Sequence, residues 1–225
     1  MLYSYMIIEQ FKDAFIDEVM SDEWQEEILP LKQMMAYYRC AIMEVETKFR
    51  VLNEELSLCY DRNPIESIHS RLKSNASITK KLKLKGYPIN VETMEKYLYD
   101  IAGLRVVCSF KQDIYHLAQC LLQQDDIRLV KKKDYIQNPK ANGYHSLHLI
   151  IEVPIFLENE KKWVKVEVQF RTLAMDFWAS LEHKLRYKKV IDDDKESYIA
   201  YQLLECAQMC NDLDDKMSSI KEYLE

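Results

Sequence analysis

Over residues 161–189 the sequence reads KKWVKVEVQFRTLAMDFWASLEHKLRYKK. Val164, Val166, Val168 and Phe170 alternate there with Lys165, Glu167, Gln169 and Arg171. A period of two predicts a strand with one packed face and one polar face. A charged and hydrogen-bonding face of this kind usually faces water; the alternative is that it faces a polar ligand. A second stretch carries a similar face: Tyr144, Ser146 and His148 alternate with His145, Leu147 and Leu149, so an aromatic ring, a hydroxyl and an imidazole share one side. Glu158-Asn159-Glu160 reads as the turn that joins the two strands in an antiparallel hairpin, setting Tyr144, Ser146 and His148 beside Glu167, Gln169 and Arg171. In a third strand, GLRVVCSF at 103–110, Arg105 shares its side with Gly103, Val107 and Ser109. Such small or aliphatic neighbours leave a guanidinium free to stack on a flat base. Asp100, just ahead of that strand, is a candidate Mg²⁺ ligand, because hard cations in phosphoryl chemistry are held by one or two carboxylates. A cap or turn role is the alternative for that residue taken alone.

Residues 65–86, IESIHSRLKSNASITKKLKLKG, predict a short extended piece, a turn, and a helix over 77–85 capped by Ser77 and ended by Gly86. A helix N-terminus offers unpaired N–H groups and positive partial charge, so Arg71, Lys73, Lys80 and Lys81 around it would seat phosphates. A solvated basic helix is the alternative. The net charge of −6 conceals a division: residues 1–60 carry 12 acids and 5 bases, 190–225 carry 10 and 3, and 61–189 carry 15 and 23. A basic middle between acidic ends suits a polyanion such as a nucleotide or RNA.

The elements that must hold these residues read as an α+β chain. Apolar positions at helical spacing (Ile28, Leu31, Met35, Tyr38, Ile42, Val45, Phe49, Leu52, Leu56) predict a helix over 22–58, after another over 5–19. Ser21 stands ready to cap the second, and Pro30 moves its expected start toward Leu29. Asn63-Pro64 ends it. Helices over 91–99 and 112–124, a strand over 127–132, a polar loop with Asn138, Pro139, Asn142 and Gly143, and helices over 173–187 and 195–224 complete the chain. In the helix over 173–187, Phe177, Leu181 and Leu185 are expected to face the sheet. The division is residues 1–60 as packing helices, 61–190 as the functional unit and 191–225 as a closing helix. No run of about eighteen apolar residues and no export signal occurs, so a cytoplasmic protein with no membrane role is expected. The cysteines at 40, 59, 108, 120, 206 and 210 are scattered and read as reduced core thiols, with Cys206 and Cys210 four apart on one helix.

Four segments in order, RLKSNASITKK, DIAGLRVVC, NPKANGYHSLHL and VEVQFRTLAMDFWASLEHKLRYK, resemble the synthetase domain of the RelA/SpoT family. The likeness covers about residues 60–190, with flanking helices similar to those of the short, single-domain alarmone synthetases. It implies a nucleotidyltransferase-like, mostly antiparallel mixed sheet of about five strands. It also implies transfer of the β,γ-diphosphate of ATP to the 3′-hydroxyl of GDP or GTP, which yields ppGpp or pppGpp and AMP in the stringent response, with GMP a further candidate acceptor. By the resemblance, Arg71 and Arg105 would sandwich the adenine, and Lys73, Ser77, Lys80 and Lys81 would hold the ATP phosphates. Asp100 would bind Mg²⁺. Tyr144 would stack on guanine with Lys140, Asn142 and His148 near the acceptor. Glu167 would take the proton of the attacking 3′-oxygen or help to hold the metal, and Gln169 and Arg171 would support it.

Long family members add a hydrolase with a His-Asp metal motif; the histidines at 69, 116, 145, 148 and 183 are followed here by Ser, Leu, Ser, Leu and Lys, so a synthesis-only enzyme is expected. Ser67 stands where product-activated relatives carry an aromatic residue, which counts against such activation. The resemblance also implies a homotetramer, for which Met34, Tyr37, Tyr201 and Met209 offer apolar contacts. An RNA-binding module on the same basic face is the alternative reading, with Tyr144 and Arg105 as stacking platforms.

Overall fold

The computed structural model describes residues 22–59, 62–186 and 193–224. The helix expected over 5–19, and Ser21 as a cap, lie outside these residues. The described elements run α1 (Asp22–Cys59), β1 (Ile65–Leu72), α2 (Asn75–Leu84), α3 (Val91–Tyr97), β2 (Ala102–Cys108), α4 (Lys111–Leu122), β3 (Arg128–Asp134), β4 (Leu147–Phe156), β5 (Lys161–Thr172), α5 (Leu173–Arg186) and α6 (Asp193–Leu224). The five strands form one sheet in the order β1-β2-β5-β4-β3. Only the β2–β5 pair among them is parallel, so the sheet is mixed and mostly antiparallel, as expected.

Alternation along the strands sorts the sheet into two faces. Leu104 and Val106 lie opposite Val168 and Phe170, which in turn lie opposite Leu149 and Leu147; all six are buried. This face packs under α1, which sends down Met34, Tyr38, Ala41, Val45, Phe49, Leu52 and Leu56 at three and four spacing. At the centre, the rings of Phe49 and Phe170 meet edge-on, with centroids 5.6 Å apart and planes at 74°. Pro30 does not set the start of α1, which runs through it from Asp22. One lost N–H near one end costs little against the buried stripe downstream. Met34 belongs to that stripe at 1% exposure, so it is core and not a surface contact, and Tyr37 is partly buried against the same core.

Two further expectations are corrected. The segment before α2 is a full eight-residue strand, and α2 is capped by Ser74, whose Oγ accepts from the Ser77 N–H; Ser77 sits in the first turn. Gly86, at φ +69°, follows the end of α2. In α5, Phe177, Leu181 and Leu185 point outward and are exposed, whereas Met175, Trp178 and Ala179 are buried. The helix is turned because it packs on α6: Trp178 and Ala179 cluster with Ala207, and Trp178 Nε1 donates to the Leu203 carbonyl at 2.8 Å. The hydroxyl of Thr172, at the end of β5, donates to Asp214 of α6 at 2.6 Å. Cys108 is buried, Cys40, Cys120 and Cys210 are partly buried and Cys206 is exposed, all as free thiols. No helix among the described residues is long and apolar enough to cross a membrane.

Candidate active site

The face of the sheet turned away from α1 carries the polar residues in rows. Arg71, Gly103, Glu167 and Ile150 lie side by side across β1, β2, β5 and β4, and His69, Arg105, Gln169 and His148 form the next row. Two cavities open over these rows. The first, of about 410 Å³, is lined by His69, Ser70, Arg71, Lys73, Asp100, Gly103, Arg105, Glu167 and Gln169. The second, of about 550 Å³, adds Lys140, Asn142, Tyr144, His148, Arg171 and the α5 residues Ser180, His183 and Lys184. Arg71, Arg105 and Gln169 line both, so the two cavities meet beside Glu167.

At one end of the first cavity, Asp100 Oδ2 accepts from Lys73 at 2.5 Å and from Lys81 at 2.6 Å. Burial alone would push the Asp100 carboxyl up, but these two ammonium groups outweigh it and hold the group below the usual aspartate range. Burial pulls Lys73 below the ordinary lysine value, and Asp100 offsets only part of that. Asp100 Oδ1 is buried without a hydrogen-bond partner. A buried, ionised oxygen left open in this way is the donor a hard cation takes, so the residues fit a divalent ion held jointly with nucleotide phosphates.

Glu167 is held from both sides. Its Oε1 is 3.1 Å from His148 Nδ1, and its Oε2 accepts from Gln169 Nε2 at 3.0 Å. Burial alone pushes this carboxyl up, but the His148 hydrogen bond and charge, aided by Gln169, win and set it below the ordinary glutamate value. Arg171 backs both supports, since its NH2 group donates to Tyr144 Oη at 2.9 Å and to Gln169 Oε1 at 3.2 Å. Tyr144 Oη lies 2.8 Å from His148 Nε2. Arg171 thus donates to the same Tyr144 oxygen that His148 Nε2 faces, while His148 Nδ1 faces Glu167. The ring of Tyr144 therefore lies on the same side of the sheet as Glu167, with Lys140 Nζ 4.6 Å from its centroid.

The loop bearing Lys140, Asn142 and Tyr144 is closed by Gly143 N–H donating to the Lys140 carbonyl at 2.8 Å and by Asn142 Oδ1 accepting from Tyr144 N–H at 3.2 Å. Tyr144 precedes β4 and does not belong to it. Ser146 does not face the cleft; it is fully buried and donates to the Phe170 carbonyl at 2.9 Å.

Of the residues expected from sequence, Arg71, Lys73, Asp100, Arg105, Lys140, Asn142, Tyr144, His148, Glu167, Gln169 and Arg171 line one cavity or the other. Lys81 reaches the site through Asp100. Ser77 and Lys80 line neither cavity, and Lys80 is exposed. His69 and Ser70 are not evident from sequence, because only a full strand over Ile65–Leu72, in which Ser67, His69 and Arg71 alternate with Ile68, Ser70 and Leu72, brings them to the cavity. Asp176, Ser180, His183 and Lys184 are not evident either, since the phase expected of α5 turns that face away.

A family model described as a region found in RelA / SpoT proteins matches residues 70–192. The GTP pyrophosphokinase YwaC of Bacillus subtilis is 45% identical over 204 residues, covering 91% of this chain and 93% of its own. The GTP pyrophosphokinase YjbM of the same organism is 34% identical over 200 residues, covering 88% and 89%. Among solved structures, small alarmone synthetase 2 from Bacillus subtilis superposes with a TM-score of 0.76 at 44% identity, covering 86% of this chain and 98% of that one. Small alarmone synthetase 1 from Bacillus subtilis, bound to its product pppGpp, gives a TM-score of 0.76 at 32% identity, covering 91% and 100%.

Proposed function

This chain belongs to the RelA/SpoT family, and from that premise we propose how its cleft makes an alarmone. The chain is a GTP pyrophosphokinase that transfers a diphosphate from ATP to GDP or GTP and so makes ppGpp or pppGpp. The observation that carries a mechanism is the position of Glu167: an ionised carboxylate clamped by His148 and Gln169 at the seam of two cavities that share two arginines.

ATP would occupy the first cavity, its adenine between the guanidinium planes of Arg71 and Arg105 and its phosphates toward Lys73 and Lys81. Lys80, in the same helix, would add long-range positive charge, and Ser77 would offer its hydroxyl at the helix start. The acceptor would occupy the second cavity, its guanine on Tyr144 and its phosphates near Lys140, Asn142 and His148. The 3′-oxygen attacks the β-phosphorus, the bond from that phosphorus to the bridging oxygen of AMP breaks, and the 3′-hydroxyl proton passes to Glu167. Such a transfer needs alignment and neutralised charge more than covalent help. Mg²⁺, when bound, would neutralise charge on the transferred diphosphate, and Asp100 would hold it, with Glu167 as the alternative second ligand where it does not serve as the base.

Incubation with ATP, Mg²⁺ and GDP, followed by anion-exchange chromatography, tests this reading. AMP and ppGpp are the expected products. Binding of both nucleotides without AMP would overturn it, and release of pyrophosphate would point to a nucleotidyltransferase. The RNA-binding alternative, on the same basic face with Tyr144 and Arg105 as stacking platforms, is not supported by the relatives. We further propose a cytoplasmic enzyme and a homotetramer whose contacts draw on exposed Tyr201 and Met209 of α6. A monomer mass near 27 kDa by light scattering would refute the tetramer.

A further inference from the structure

Asp176, in the first turn of α5, lines neither cavity. Its Oδ1 nonetheless accepts from Arg171 NH1 at 2.8 Å and lies 3.2 Å from Arg105 NH1. Arg105 stands at the junction of both cavities, and Arg171 stands in the second. Each guanidinium keeps a buried Nε without a hydrogen-bond partner, and Asp176 is the carboxylate that faces both. Two cations this close repel, and burial adds to the cost of holding each of them. Burial and the neighbouring Arg171 pull Arg105 below its ordinary value, while Asp176 pushes it back up.

The consequences of the Asp176 contact spread along hydrogen bonds. With NH1 fixed by Asp176, the NH2 group of Arg171 has its two hydrogens directed at Tyr144 Oη and Gln169 Oε1. Tyr144 then sets His148, and His148 and Gln169 each hold one oxygen of Glu167. One carboxylate outside the cavities thus governs the acceptor's stacking ring, both supports of the base, and the arginine shared with the donor.

We infer that Asp176 is a positioning residue that couples the donor and acceptor sites by holding Arg105 and Arg171 as one unit. This inference rests on the assignment of the two cavities to ATP and the guanine nucleotide. Without Asp176 the two arginines separate, Tyr144 and Gln169 lose their common anchor, and Glu167 is no longer aligned with the 3′-hydroxyl.

The test combines turnover with calorimetry on the full chain, using a non-hydrolysable ATP analogue and GDP. In the wild-type protein the analogue is expected to tighten GDP binding, and in Asp176→Asn that coupling factor is expected to fall to about one, from a range of roughly 5- to 150-fold typical of coupled sites. The kcat is expected to drop about 10²-fold, the cost of small misplacements in such sites, while KM for each nucleotide, with the other saturating, rises by no more than the lost coupling factor. In an Arg171→Gln background, Asp176→Asn is expected to add little further loss of kcat, because it acts through that arginine. A merely structural role would lower the melting temperature and weaken both nucleotides without altering their coupling. That result, retention of wild-type coupling, or multiplication of the two losses would overturn the inference. If Asp176→Asn folds poorly, Asp176→Glu keeps the charge but shifts its position, and the same fall in coupling is expected of it. Failure of the wild-type protein to form AMP would instead sink the functional reading, which the binding measurements do not require.

Discussion

His148 Nδ1 stands 3.1 Å from Glu167 Oε1 across the β4–β5 ladder, and Gln169 holds the other carboxylate oxygen from the same strand. The carboxylate is thereby aimed rather than merely present. Glu167→Gln keeps the shape and one acceptor oxygen for His148 but sets its amide N–H₂ against the Gln169 donor, so a modest fall in melting temperature with a folded protein is expected. Its rate of AMP formation is expected to fall by about 10²- to 10⁴-fold, the range for loss of a positioned general base. His148→Ala leaves the base in place with one support gone and is expected to be the milder change. A Glu167→Gln protein within tenfold of wild-type turnover would remove Glu167 from the role of base.

The same contacts set a pH dependence of stability. Glu167 and Asp100 both titrate below their ordinary values in the folded chain, through His148 and Gln169 in one case and Lys73 and Lys81 in the other, each against the opposing effect of burial. A carboxyl depressed in this way contributes stability that is fully present above its unfolded pKa, about 4.3 for Glu and 3.9 for Asp. That contribution is lost as pH falls through the lower folded value. Calorimetric melting in steps from pH 6 to pH 3 is therefore expected to show a fall that begins near pH 4 and is shallower in Glu167→Gln. Identical slopes for the two proteins would show that Glu167 is not held as described.

Strand content and the catalytic face were legible in the sequence because period-two alternation from Val164 to Phe170 buries Val164, Val166, Val168 and Phe170 on one face and leaves Glu167 and Gln169 on the other. The phase of α5 was not legible. Phe177, Leu181 and Leu185 form as good an apolar stripe as Met175, Trp178 and Ala179, and only the presence of α6 decides between them. That choice hid Asp176. Likewise Ser74 and Ser77 are equally good caps by residue type, and the long β1 strand, which carries the chain to Leu72, selects the earlier one.

Gly143 joins the acceptor loop to α6. Its φ is +84°, and a Cβ there would come 2.5 Å from Ala207 Cβ and 3.1 Å from Leu204 Cδ1. Gly86 has a similar φ of +69° but open space around it. Gly86→Ala is thus expected to cost about 1–2 kcal/mol of stability, the penalty of a left-handed backbone alone, with turnover unchanged. Gly143→Ala is expected to cost more and to raise KM for GDP, since the clash displaces the loop that carries Lys140, Asn142 and Tyr144. Adding Ala207→Gly removes the closest contact, leaving Leu204 Cδ1 at 3.1 Å, and is expected to restore some affinity without restoring full stability. Equal effects of Gly86→Ala and Gly143→Ala on KM would mean that α6 does not position the loop.

Lys73 and Lys81 both rest on Asp100 Oδ2, so in the absence of nucleotide the proposed metal ligand is already neutralised by two cations. A divalent ion approaching Oδ1 meets their repulsion at close range. ATP changes the balance, because its phosphates offer the lysines new partners and offer the ion further oxygens. Metal binding is therefore expected to depend on nucleotide. Titration with Mn²⁺ followed by electron paramagnetic resonance should show weak binding to the protein alone and much tighter binding with a non-hydrolysable ATP analogue, beyond the affinity of the analogue itself. Lys81→Met, which removes one of the two cations, is expected to strengthen Mn²⁺ binding to the nucleotide-free protein, and Asp100→Asn to abolish the protein's share in both states. Nucleotide-free binding as tight in wild type as in Lys81→Met would show that the lysines do not guard Asp100.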